Sequence, residues 1–291
     1  MPGESSGQLM LRKETIEKTV QGFALQEYVM KQLVAVSPSS SWKESYFAET
    51  ATELTGGANQ AIRGIPRLSA FPTASVTWAK RTAYIEKYGI EDTISFEDVM
   101  SNEVDVIART LLRISRAVVN AVDTQIWNVL TESQTAVDIN TIAITAGNEW
   151  NSATVANRDP IQNILDAIRE IQIDNYNALN NGFLVLNPTD HANLLVNANV
   201  RNAGQFYTSE VTSNGRIGRI LGLTIIVSNT VTADYAAVIV AKECGAWKEA
   251  EALTVITKID DGISYTIRAW EFGVAQLINP GAVCLISNTA V

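Results

Sequence analysis

The chain has 291 residues, enough for one large domain or two modest ones with a working core. Apolar residues make up 46% of it and charged residues 18%, a mixture that excludes a disordered chain and fits either a large core or an apolar surface closed by neighbouring subunits. The net charge of −9 argues against a protein that grips nucleic acid through a broad basic face, and no apolar run approaches the roughly 20 residues of a membrane-spanning helix.

Residues 1–10 are small and polar, without the basic-then-apolar order of a signal peptide, so synthesis and assembly in the cytoplasm are expected. From Leu11 to Val36 apolar residues fall at Ile16, Val20, Phe23, Tyr28, Leu33 and Val36, close to helical spacing but interrupted by Gly22. This predicts a short helix and a break. Ser37-Pro38-Ser39-Ser40-Ser41 then reads as a linker.

Two strand-like flanks follow, Trp42 to Thr50 and Ser75 to Tyr88. The second sets Val76, Trp78, Lys80, Thr82 and Tyr84 against Ala79, Arg81, Ala83 and Ile85 in strict alternation. Between them lie Gly56, Gly57, Gly64, Pro66 and Pro72, so the stretch predicts a long β-hairpin joined by a large loop. A two-stranded hairpin is marginal alone in water, and it must lie either on its own domain or on another surface.

Ser95 to Leu130 predicts one long helix without Gly or Pro. Ser95 is its cap, Glu97 and Asp98 suit the positive end of the helix dipole, and Phe96, Met100, Ile107, Leu111, Ile114, Val118, Val122 and Ile126 form one apolar stripe. Such a helix would span about 50 Å. Asn120 and Asp123 near its end count against a coiled coil. Arg113 and Arg116 fall away from the stripe.

The stretch from Thr131 to Asn157 is polar with strand-like patches, and Asp159-Pro160 then opens a helix with Ile161, Ile164, Leu165, Ile168 and Ile171 inward. Phe183 to Leu186 predicts a buried strand, and Asn187-Pro188 starts a second capped helix. Strands are predicted at Leu223 to Val227, Ala236 to Ala241, Leu253 to Ile259, Ile263 to Ala269 and Val274 to Ile278. Helices and strands mix without a regular βαβ rhythm, which predicts an α+β fold.

Motifs that carry chemistry are missing. His191, the only histidine, stands beside Asp190 inside a helix start with no nucleophile in a known arrangement, and reads as a solvated or packing residue. Gly215, Gly218 and Gly222 match neither a dinucleotide fingerprint nor a phosphate loop, and read as turn glycines. Asp260-Asp261-Gly262 reads as a hairpin turn. Cys244 and Cys284 have no metal-ligand spacing and read as buried thiols. No catalytic residue, cofactor or metal is expected, and the rival reading, a soluble α+β enzyme using scattered carboxylates, has no positive signal.

The order of these elements resembles that of the major capsid proteins of tailed double-stranded-DNA bacteriophages, the Johnson-fold superfamily. Tyr88-Gly89-Ile90-Glu91-Asp92 running into Ile94 and Ser95 resembles the family's passage from extended loop to spine helix. Asn187-Pro188 after an apolar strand, Gly222-Leu223-Thr224-Ile225-Ile226-Val227-Ser228, and Arg268 with Gly273, Pro280 and Ala282 are similar to later family segments. The resemblance implies an N-terminal arm over 1–41, an extended loop over 42–92, a P-domain spine helix over 93–130, an A-domain over 131–248 and P-domain return strands over 249–291. It implies a self-assembling, non-enzymatic subunit forming the pentamers and hexamers of a virion shell around DNA, with a portal as partner, a separate scaffolding or decoration protein or none, and no membrane. An encapsulin-type nanocompartment shell is the nearest alternative. Candidate assembly contacts are Gly56, Gly57, Arg63, Ile65, Arg67 and Trp78 in the loop, with Arg113 and Arg116 on the helix. Some members of the family crosslink through a lysine of the loop, whereas no lysine lies between Lys43 and Lys80 here.

Overall fold

The computed structural model describes residues 20, 28–48, 67–70, 79–101, 106–198, 200, 219–260 and 262–290. Its strands are β1 (Ala35–Pro38), β2 (Lys43–Ala48), β3 (Ala79–Tyr84), β4 (Glu86–Ser95), β5 (Asn140–Ala143), β6 (Gly182–Leu186), β7 (Arg219–Ile220), β8 (Leu223–Val227), β9 (Tyr235–Val240), β10 (Gly245–Asp260), β11 (Ser264–Leu277) and β12 (Val283–Ser287). Its α-helices are α1 (Phe96–Ser101), α2 (Val106–Leu130), α3 (Pro160–Ile173), α4 (Ala178–Asn181) and α5 (Pro188–Val196).

A four-stranded sheet runs in the order β1-β10-β11-β4, a six-stranded one in the order β5-β12-β9-β6-β8-β7, and β2 pairs only with β3. Both large sheets are mixed, with β1 parallel to β10, β5 to β12 and β6 to β8. This is the expected α+β architecture. Helix α2 lays Leu111, Ile114, Val118, Val122 and Ile126 on β4 and β11, and its buried face joins one core that reaches Leu184 to Leu186 and Ala236 to Val240 in the six-stranded sheet.

Local chemistry explains most boundaries. Asp159 accepts from the Gln162 N–H and Asn187 from the Thr189 N–H, each followed by proline at the first helical position, so α3 and α5 start where the cap-proline pairs put them. Ser95 Oγ accepts from the Asp98 N–H at 3.1 Å at the start of α1. Leu221 and Gly222, both at positive φ, form the two-residue turn between β7 and β8. Cys244 and Cys284 are free, fully buried thiols whose pKa burial pushes up to about 12.

Several expectations need correction. Ser37 and Pro38 are not linker but the end of β1, which gains its hydrogen-bonding partner from β10; tertiary pairing outweighs their turn propensity. Within the predicted N-terminal helix Val20 is helical and buried, whereas the described residues nearer its end form a 3₁₀ turn, Met30–Gln32, followed by β1, and Val36 is exposed. The hairpin arm predicted to reach Tyr88 stops at Tyr84, and after Ile85 the chain enters the four-stranded sheet as β4. The single helix expected over 95–130 is described as α1 and α2, with 102–105 outside the described residues; Met100, assigned to the apolar stripe, is exposed on α1. Leu165 is exposed on α3, where Ala167 is buried beside Ile164, Ile168 and Ile171. The two strands expected over 263–269 and 274–278 are one, because Gly273 does not break β11. A Cβ there would lie 2.3 Å from Trp247 Cζ2, so the glycine admits an indole from the neighbouring strand.

Candidate functional site

No group of three or more His, Cys, Asp or Glu side chains among the described residues is arranged to hold a metal ion. His191 is half-buried on α5, and burial lowers its pKa. The features that stand out are instead surfaces and clasps.

The first holds the segment before β1. Asp123 lies on α2 with 2% exposure, and its two carboxylate oxygens accept from consecutive backbone N–H groups, Val29 at 3.0 Å and Met30 at 3.2 Å. Burial raises its pKa to about 6 against the lowering effect of those bonds and of Lys31. Glu271 on β11 is fully buried and accepts from Tyr28 Oη at 2.5 Å, Lys31 Nζ at 2.6 Å and Trp247 Nε1 at 3.2 Å. The Lys31 ammonium also lies 3.9 Å from the Tyr28 ring centroid, and burial with the Glu271 charge raises the Tyr28 pKa. Two acids from two elements thus fasten four consecutive residues to the spine helix and sheet. Sequence reading used Asp123 only against a coiled coil; it falls on the arginine side of α2, away from Ile114, Val118 and Val122, and a lone acid there that is nonetheless buried is a capping partner for the segment that covers it.

The second feature is the β2–β3 ribbon. One face, with Tyr46, Arg81 and Ala83, is half-covered, and Arg81 pairs with Asp138 and, at 3.7 Å, with Glu132 beyond the end of α2. The other face is open, with Phe47 54% and Tyr84 64% exposed. At its base Trp42, 65% exposed, meets Phe272 edge-on at 5.5 Å between centroids. Large aromatic side chains left in water on a two-stranded ribbon mark a surface that another surface covers.

The third is the outer face of α2, where Arg109, Arg113 and Arg116 are exposed along a groove. Of the candidate assembly residues, Arg113 and Arg116 are brought together here, and Arg67 is exposed in a separate turn. Gly56, Gly57, Arg63, Ile65 and Trp78 lie outside the described residues. The aromatic face of Phe47 and Tyr84 was missed, although the alternation that put Tyr84 on one side of the strand held its position.

The sequence profile of the phage capsid protein family matches residues 79–286, from β3 to β12. No curated protein sequence matches. Among solved structures, the capsid of cyanophage P-SCSP1u is similar with a TM-score of 0.67 and 14% identity over 89% of this chain and 88% of that one. A virus-like particle from Pyrococcus furiosus matches with a TM-score of 0.64 and 12% identity over 94% of this chain and 99% of that one. Mycobacterium phage Che8 gives a TM-score of 0.62 and 16% identity over 91% and 93%. These structures share the fold across nearly the full length of each chain, and the family match covers α2, the six-stranded sheet and three of the four strands of the other, β1 lying before it. The chain therefore belongs to the phage capsid protein family and is a shell-forming structural subunit.

Proposed function

We propose that this subunit closes an icosahedral shell of pentamers and hexamers around the double-stranded DNA of a tailed phage, assembling in the host cytoplasm with a portal and a separate scaffolding or decoration protein. The family match over residues 79–286 carries this reading. In it, residues 1–41 are the arm, 42–92 the extended loop, 93–130 the spine, 131–248 the axial domain and 249–291 the returning strands. The open aromatic face of the β2–β3 ribbon is the contact with a neighbouring subunit, and the clasp around Asp123 and Glu271 fixes the arm from which that ribbon departs. Electron microscopy and light scattering of the purified chain test the reading. Closed megadalton particles are expected, and monomer alone across a wide range of salt and concentration would overturn it. Particles isolated from cells that held protein cargo and no nucleic acid would move the assignment to a nanocompartment shell.

A further inference from the structure

Helix α2 carries four charged residues, Arg109, Arg113, Arg116 and Asp123. At about 100° per residue they fall within an arc of about 80° on one side of the helix. Asp123 is turned into the clasp and 2% exposed, so the charge that this side presents to solvent is positive, on a chain whose net charge is −9. The arginines form one wall of an open groove of about 860 Å³. Opposite them runs the segment after β8, with Asn229 and Thr230, and Asn120 lies further along the same helix. Arg113 also faces Asp92 at 3.6 Å, and Arg116 is engaged as well; at exposed positions such contacts contribute little and exchange readily.

We propose that this groove is a contact for the phosphate backbone of packaged double-stranded nucleic acid, made without reading its sequence. The inference rests on the capsid reading above. Guanidinium groups with amide and hydroxyl side chains are the usual partners of phosphate oxygens. The arginines rise along the helix by about 6 Å and then about 4.5 Å, which lets successive side chains follow one strand. The segment with Ser228, Asn229 and Thr230 stands beside the arginines as the groove's other wall, so α2 does not protrude as a reading head and base edges stay out of its reach. An acidic segment of another protein would satisfy the same charges. Protein interfaces, however, are anchored by large apolar or aromatic side chains; among the described residues lining this groove the only exposed one of that kind is Val227, at 37%, whereas the β2–β3 ribbon presents Phe47 and Tyr84. Three phosphate contacts per subunit make a weak site. Repetition over a shell would hold the outer layer of packed nucleic acid while leaving each contact free to break.

The test mixes the purified full-length chain, before assembly, with a fluorescent mixed-sequence duplex, and measures anisotropy from low to physiological salt. The parent should lose affinity with a log–log slope of about −2.7, and each of Arg109→Gln, Arg113→Gln and Arg116→Gln should reduce that slope by about 0.9. A duplex of unrelated sequence should bind equally. A triple variant that melts like the parent yet keeps its slope, or a parent that binds poly-glutamate through these arginines and not the duplex, would overturn the proposal; the latter would make the groove a protein contact. Particle formation by the same preparations, read by electron microscopy, reports separately on the capsid reading, which fails only if the parent makes no shells.

Discussion

A single carboxylate can set how the arm responds to pH. Asp123 titrates near 6 in the fold, against 3.8 as its ordinary value, because burial costs the charged form more than its two backbone donors and Lys31 return, with Glu271 adding repulsion. Between those two pH values the folded chain therefore binds more protons than the unfolded one. The stability tied to Asp123 is highest below about pH 4 and falls as pH rises through 6, by up to about 3 kcal/mol. Asp190, raised to about 6 by burial although Thr289 Oγ1 donates to it, adds a loss in the same window. Asp123→Asn keeps the shape and removes the titration. Melts of unassembled subunits should show the parent's margin over this variant shrinking from pH 4 to pH 7; a constant margin would show that Asp123 does not govern the clasp. From sequence, the position could be seen to be unusual but not useful, since its partners are backbone N–H groups more than 90 residues away.

At the scale of one element, α2 separates cost from exposure. Leu111 and Ile114 are 5% and 0% exposed on its inner face, so truncating either to alanine should lower subunit stability by about 2–5 kcal/mol. Arg113, 76% exposed, should be replaceable by alanine within about 0.5 kcal/mol. Thermal melts of the three variants check the ordering, and parent-like melts for both core variants would mean that the helix is not the subunit's spine. The periodicity of this face was legible because the spacing of apolar residues is local, as were the cap-proline starts of α3 and α5. Elements whose reason to exist lies elsewhere in the chain were not legible. Ser37 and Pro38 become strand only beside β10, Gly273 stays in β11 only because an indole fills the space above it, and Leu165 has the right spacing on a helix whose buried side is narrower than the apolar pattern.

For the whole molecule, folding and assembly are expected to draw on different residues. Phe47 and Tyr84 lie on the open side of the ribbon, so Phe47→Ser with Tyr84→Ser should leave the unassembled subunit melting within about 0.5 kcal/mol of the parent while particle yield collapses. Parent-like yields would place the subunit contact elsewhere. The fold class and the order of the elements were readable before the structure. The proposed contact surface was not, because the sequence reading weighed the glycine- and proline-rich loop above the strands β2 and β3. One consequence follows from how the four-stranded sheet is joined. Its outer strands come from residues 35–38 and 86–95, whereas both inner strands come from residues 245–277. Tyr28 meets Glu271 across 243 residues. During synthesis, then, β1 and β4 lack their strand partners until almost the whole chain has been translated, even though α2 can already meet β4 and hold Val29 and Met30, and a polypeptide truncated before β11 cannot complete the sheet. A copy left unfinished thus lacks the sheet that seats β1 and β4, and topology alone distinguishes it from a complete one.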